Sequence, residues 1–221
     1  MTGEDLRGVP LFKDLQPREI EQFMKFTGTT IRSYPRGERV LEAFVPNPNI
    51  GIIVSGEAQL LSLDRLGNEI VGHMLESGAM FGTVAAILGE DVIAVSIELT
   101  TDAVIMWLPY RALLIAGPKL GRMHGIVMKN LLEIFTRKNV LMMQKVELLS
   151  QKSLRERIIL YLLQRERRQQ SERVKVPRRV QFAKELECNR SSLTREISLM
   201  EADGLITCGE RWMRLNKDKL Q

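Results

Sequence analysis

An α+β chain is predicted, with a strand-rich first half, a long central helix and a helical final third that ends in strands. Three features carry this. Residues from about 29 to 108 are broken by glycines into short alternating apolar segments. Residues from about 119 to 149 are free of proline and sustain a seven-residue apolar repeat. From about residue 153 the helical spacing resumes, and it gives way to two short strands after Gly204.

The 221 residues suffice for two modest domains, each with its own core. Apolar residues make up 44% and charged residues 27%, the balance of an ordinary globular chain rather than a disordered one. No apolar run approaches the roughly 20 residues of a bilayer span. The start, "MTGEDLRGVPLF", has no basic segment ahead of a long apolar one, so no signal peptide and a cytoplasmic location are expected. Cys188 and Cys208 are too few for a disulfide framework or a four-cysteine iron–sulfur site, and no metal site is expected. Charge is uneven. Residues 151–221 hold 17 Lys and Arg against 10 Asp and Glu, a net of +7, whereas the whole chain carries +5. A basic end on a slightly acidic body points to a polyanionic partner, the alternative being a merely solvated basic face.

In order along the chain, "PLFKDLQPREIEQFMKF" sets Leu15, Ile20, Phe23 and Phe26 at helical intervals, giving one or two short helices. "NIGIIVSGEAQLLSLDRLGNEIVGHML" then reads as hairpins of an all-β barrel or sandwich, with turns at Ser55-Gly56, Leu66-Gly67-Asn68 and Gly72. In "VIAVSIEL", Ile93, Val95, Ile97 and Leu99 alternate with smaller or polar residues. Within the long helix, Leu120, Val127, Ile134, Leu141 and Leu148 recur every seven residues, and Met128, Phe135, Met142 and Leu149 run beside them. The first series is expected to be a two-stranded dimer seam and the second to pack on the β-domain. A helix buried inside a monomer is the alternative. "SLRERIILYLLQRERR" forms the next helix, on Leu154, Ile158, Tyr161 and Leu162, and Pro177 bars its continuation.

The segment "RVQFAKELECNRSSLTREISLMEADGLITCGERWMRLN" is the most informative. Phe182, Ala183 and Leu186 make a short helix ending near Glu187. Asn189 suits an N-cap whose side-chain oxygen accepts a backbone N–H. Leu193, Ile197 and Met200 must then face a core, leaving Arg190, Ser191, Ser192, Thr194 and Arg195 on the other side, and Gly204 supplies a left-handed stop. This is the pattern of a winged helix-turn-helix, whose second helix offers its first turns to the DNA major groove. Arginine pairs with guanine, and Ser or Thr with bases or phosphates. An αα-hairpin without a partner is the alternative.

With these residues in view, the chain resembles the cyclic AMP receptor protein/FNR family of bacterial transcription regulators. "PLFKDL", "YPRGERV", "GIIVSGEAQL", "DRLGNE", "ESGAMFG", "RERIILYL" and "ECNRSSLTREISLMEADGLI" follow the family's order over nearly the whole chain. The resemblance implies an N-terminal double-stranded β-helix of the cyclic-nucleotide-binding type over 1–118, a dimerisation helix over 119–149 and a DNA-binding winged helix-turn-helix over 150–221. It also implies a homodimer on a two-fold operator and leaves room for RNA polymerase as a further partner. Arg190 and Arg195 match the family's base- and phosphate-contacting arginines, and Ser191 stands where well-known members carry a glutamate. Arg178 and Arg179 fall where phosphate contacts are expected.

The sensor pocket departs from the family. Nucleotide-binding members carry Gly-Glu-Leu after "FG" and Arg-Ser or Arg-Thr about ten residues later, whereas here Gly82 is followed by Thr83 and the pair is Ile93-Ala94. No arginine occurs between Arg65 and Arg111, and Met142 and Met143 take the family's adenine-facing positions. A cyclic phosphate against isoleucine is desolvated without a partner, so no cyclic nucleotide and no other cofactor is expected. His73 and His124 are read as ordinary residues rather than haem ligands. No Walker loop, HExxH or nucleotide-binding GxGxxG is present, so an enzyme is not expected. A ligand-binding module acting on a protein partner is the competing reading.

Overall fold

The computed structural model describes residues 2–88, 94–115 and 117–220. The chain forms two compact units, Met1–Phe135 and Thr136–Gln221, and the division falls inside the long helix.

The first unit opens with helix α1 (Pro17–Thr27), which buries Ile20 and Phe23. Phe26, expected in the core, is instead 38% exposed, with the Lys119 ammonium 5.3 Å from its ring centre. Strands β1 (Thr30–Tyr34), β2 (Arg39–Leu41), β3 (Asn49–Ser55), β4 (Ala58–Leu63), β5 (Glu69–Leu75) and β6 (Met80–Phe81) follow, then helix α2 (Thr83–Leu88) and strands β7 (Val95–Leu99) and β8 (Ala103–Pro109). They form two antiparallel four-stranded sheets, ordered β1-β8-β3-β6 and β2-β7-β4-β5. Leu41, Ile53, Phe81, Ile97, Leu99 and Ile105 share one buried cluster drawn from both sheets. The first sheet is covered on its other face too. Ile50, Ile52, Met106 and Leu108 join Leu6, Leu11, Phe12 and α1 in a second core. Double coverage explains why β3 reads as a nearly unbroken apolar run. Gly51 in that run is required, because a Cβ there would lie 2.3 Å from the Phe81 ring.

The β4–β5 turn is closed by the Asp64 carboxylate. It accepts from the backbone N–H of Leu66 (2.7 Å) and Asn68 (2.8 Å) and from the Asn68 side chain (3.0 Å). Chiefly the Asn68 side chain holds the Asp64 pKa below its ordinary value. A depressed carboxylate stabilises the fold above its unfolded pKa and stops doing so as pH falls through the folded one. Asp64→Ala should therefore lower the urea midpoint at neutral pH, and the two proteins should converge only below the ordinary 3.8. A gap that persists unchanged in acid would rule out this origin.

After α3 (Tyr110–Ile115) and α4 (Gly117–Leu120), Gly121 at φ 47° breaks the expected continuous helix, and α5 runs from Arg122 to Leu149. The heptad assignment needs correction. Leu120 (4% exposed) and Val127 (0%) are buried in the first unit's own core, joined by Leu131, and Ile134 packs half-buried against it. Leu148 is buried in the second unit's core, and Leu141 alone of that series is open, at 52%. Of the neighbouring stripe Met142 is open, whereas Met128 and Phe135 pack half-buried against the same first-unit core, as expected of them. Asn130 is drawn in with them, donating to the carbonyls of Leu11 (3.0 Å) and Lys13 (2.7 Å).

In the second unit, α6 (Leu154–Gln169) starts at a Ser153/Glu156 capping box and ends at Gln170, ahead of Pro177. Strand β9 (Val174–Lys175), helices α7 (Arg179–Glu185) and α8 (Arg190–Ala202), and strands β10 (Ile206–Cys208) and β11 (Trp212–Leu215) complete it. The strands form a three-stranded antiparallel sheet ordered β10-β11-β9. Ile158, Leu162, Phe182, Leu193, Ile197, Met200 and Met213 form its core, with the Tyr161 and Phe182 rings 4.7 Å apart.

Candidate nucleic-acid interface and sensor pocket

Helix α8 buries Leu193, Ile197 and Met200 and leaves Arg190, Ser191, Ser192, Thr194 and Arg195 exposed, as the sequence spacing expects. Asn189 has extended capping backbone, but its side chain makes no cap bond. Its carbonyl accepts the first helical bond, from Leu193 N (3.0 Å). The first-turn N–H groups are therefore left without a side-chain cap, a natural seat for an anion. The Thr194 hydroxyl donates to the Arg190 carbonyl (2.9 Å), so its proton is used within the helix and its oxygen can only accept. Arg178 is the N-cap of α7 and exposed, whereas Arg179, the first residue of that helix, is half-buried.

The acidic side chains around this face are taken up elsewhere. Arg155 on α6 binds Glu196 (2.7 Å) and Asp203 (2.7 Å), and these two partners raise its own pKa, Glu196 most. Glu185 accepts from Arg165 (2.9 Å) and from Tyr161 OH (2.9 Å), and Glu187 pairs with Lys145 (3.3 Å). Burial is the first cause that pushes the Tyr161 hydroxyl pKa upward. Among the described residues, Arg178, Arg190 and Arg195 make no ion pair. The result is a positive face on which Glu185, Glu187, Glu196 and Asp203 are paired. Glu201, near the far end of α8, accepts only from the Cys208 backbone N–H (3.2 Å) among the described residues.

In the first unit, Gly82 adopts φ 71°, and a Cβ there would approach the Asn47 amide nitrogen to 2.7 Å and Leu41 to 3.3 Å. Thr83 begins α2, a six-residue helix, and Ala94 lies half-buried just before β7. Ile93 lies outside the described residues. Asn47 donates to the Asn49 carbonyl (2.7 Å) and accepts from its N–H (3.2 Å), which fixes the amide nearest Gly82 while leaving it one further donor and lone pair. Met142 and Met143 belong to the second unit and are 56% and 64% exposed. His124 Nε2 is 3.0 Å from the Leu113 carbonyl, and His73 is exposed on β5. Cys188 and Cys208 are half-buried free thiols, each with its pKa pushed up first by burial.

Residues 31–115 match the cyclic nucleotide-binding domain family. Thermus thermophilus catabolite activator protein is 21% identical, over 96% of this chain and 95% of its own, with a TM-score of 0.54. The chain has the fold of the cyclic AMP receptor protein/FNR regulators. The c-di-GMP-responsive global regulator CLP of Xanthomonas campestris shares this fold at 18% identity, over 90% and 99% of the two chains, with a TM-score of 0.55. CprK complexed with OCPA shares it at 12% identity, over 89% and 88%, with a TM-score of 0.61. No curated protein sequence matches the chain.

Within the cyclic AMP receptor protein/FNR fold, two features of this chain escape a sequence reading. One is the Arg155 clamp on Glu196 and Asp203, which needs residues 41 and 48 positions apart to meet. The other is a basic shelf on the β9–β11 strands. Arg173 stacks over Trp212, 4.9 Å from its ring centre, beside an open groove of about 710 Å³ that Lys175 and Arg211 also line. The alternating basic residues of "SERVKVPRR" and "ERWMR" are the signal that could have found the shelf. No helix among the described residues is long and apolar enough to cross a membrane.

Proposed function

We propose that the chain is a homodimeric, sequence-specific DNA-binding transcription regulator with a sensor domain for an effector other than a cyclic nucleotide. The observation that carries the DNA reading is the α8 face. Arg190 and Arg195 stand unpaired on it while the neighbouring carboxylates are clamped by Arg155, Arg165 and Lys145. Helices α7 and α8 with strands β9–β11 have the make-up of a winged helix-turn-helix. In that motif the exposed side of α8 reads base edges, and Arg178 and the β-strand shelf hold phosphates. Two copies then address two half-sites about one helical turn apart. RNA polymerase is a further partner under this reading.

Selection of bound duplexes from a random library, followed by titration against salt, tests it. A two-fold symmetric site should emerge, and log K should fall steeply and linearly with log salt. A salt-independent association would instead favour the competing reading, a module that docks on a protein.

The sensor prediction is separate. Asn47 and Leu41 crowd the Gly82 turn, where a Cβ would lie 2.7 Å and 3.3 Å from them, and the position after it is Thr83 rather than a carboxylate. Millimolar 3′,5′-cyclic AMP or cyclic GMP should leave the melting temperature unchanged. A rise that grows with ligand concentration, as mass action requires of a native-state ligand, would overturn this part and leave the DNA reading standing.

A further inference from the structure

One face of strand β1 is polar although the sheet it edges is packed on both sides. Alternation puts Thr30, Arg32 and Tyr34 together on that face, and pairing with β8 sets Thr30 beside Trp107. These four side chains line an open cavity of about 330 Å³, to which the second sheet contributes Val40 and the approach to β3 contributes Asn47. Gly82, Thr83 and Ala94 do not line it, so it is not the place of the family's Gly-Glu-Leu and Arg-Ser.

The rings of the cavity are held in place. Trp107 Nε1 donates to the Tyr34 hydroxyl (2.8 Å), and the Phe81 ring meets Trp107 edge-on with centroids 5.4 Å apart. Gly51, opposite Trp107 on β3, leaves the space that Phe81 fills. An aromatic wall fixed beforehand spares a ligand the cost of ordering it. The polar groups are mainly donors. Tyr34 accepts the indole proton, so its own hydroxyl hydrogen remains to be given. Asn47 keeps one N–H beyond its two bonds to the Asn49 backbone. Arg32 is exposed and makes no ion pair among the described residues. No carboxylate among the described residues lines the cavity.

We propose that this cavity binds a small aromatic carboxylate. The Arg32 fork matches two carboxylate oxygens, Tyr34 and Asn47 add donors, and the ring of the ligand lies against Trp107. One arginine balances one negative charge, whereas a phosphate dianion would keep a charge unmatched. The volume is at the low end for ligand pockets and suits a single ring rather than a nucleotide. The proposal rests on the sensor-domain reading, for which it names a site and a ligand class. Asn47 is the link, since its amide nitrogen also backs Gly82, 2.7 Å from where a Cβ would stand. A ligand that draws on Asn47 therefore acts on the turn that opens α2.

The test is calorimetric titration of the full chain with benzoate. Saturable binding at one site per chain is expected. Benzamide, which keeps the ring without the charge, and acetate, which keeps the charge without the ring, should each bind at least about tenfold more weakly. Arg32→Ala should weaken benzoate by a similar factor with the melting temperature of the free protein unchanged. Arg36→Ala, which removes an exposed arginine outside the cavity, should bind benzoate like the parent. Absence of saturable benzoate binding overturns the site and leaves the sensor and DNA readings standing. So does equal affinity for benzamide or acetate, or an Arg32→Ala protein that binds like the parent. Because the ligand series runs on the unaltered chain, it decides the matter even if a variant fails to fold. Benzoate binding with the expected selectivity that leaves affinity for the selected duplex unchanged supports the site and overturns the sensor reading.

Discussion

Joint replacement of Arg190 and Arg195 by alanine should abolish selective DNA binding while the fold survives. Both side chains are exposed, and among the described residues neither takes part in an ion pair, so their removal costs the core little. An arginine–guanine contact at Arg190 contributes about 1–3 kcal/mol of discrimination, and losing it together with a phosphate contact at Arg195 should weaken the selected site by roughly 100-fold. The single variants separate the roles. Arg190→Ala should relax preference at one base position, and a phosphate-holding Arg195 should instead weaken all sequences alike and reduce the salt slope by about one unit. Arg155→Ala is the complementary variant. It frees Glu196 and Asp203 beside the binding face, so affinity should fall through repulsion of phosphates although Arg155 is not proposed to touch DNA. Anisotropy on the selected duplex and on an unrelated one, read at two salt concentrations, measures all four. Undiminished selectivity in the double variant would remove α8 as the reading element.

How much of this was legible beforehand differs between the two units. The α7–α8 segment was read nearly residue by residue, because a helix on a small core declares its buried face through three- and four-residue spacing. Leu193, Ile197 and Met200 could face nothing else. The Asn189 cap bond was misread because side-chain capping is one of several ways to satisfy a first turn, and spacing does not choose among them. The β-domain gave its strands but not their layering. Ile50 and Ile52 point to one core and Ile53 to the other, and only the pairing of β3 with β8 and β6 separates them. The long helix was the instructive failure. Two apolar stripes run along α5 one position apart, at Val127, Ile134, Leu141 and Leu148 and at Met128, Phe135, Met142 and Leu149. Periodicity showed both, but not how deeply each is buried: Val127 is fully enclosed and Met128 and Phe135 only partly, and Asn130 is drawn in by the carbonyls of Leu11 and Lys13. The polar residues were the better guide. Of Asn130, Arg137 and Gln144, which recur every seven residues, the first and last bind within the chain, whereas Arg137 stays exposed.

The same reversal sets up the second large effect, a double dissociation between stability and assembly. Val127 is fully buried in the first unit's core, so Val127→Ala removes two methyl groups from a packed site. It should cost about 2 kcal/mol of folding stability and lower the melting temperature by a few degrees. Dimerisation should not change, because Val127 offers no surface to a second copy. Met142→Glu should do the opposite. At 56% exposure the side chain contributes little to its own unit, so the melting temperature of the dissociated chain should hardly move. In the pair, two carboxylates would be forced together in a seam that excludes water, and burying an unpaired charge costs several kcal/mol. The dimer dissociation constant should therefore rise at least about 100-fold. Binding to the two-fold site should collapse toward that of a single half-site, because the second contact is no longer tethered to the first. Sedimentation velocity over a concentration series, paired with calorimetry, reads both quantities on the same samples. If Val127→Ala dissociates the protein and Met142→Glu does not, the outer stripe is not the seam and the assignment returns to the inner one.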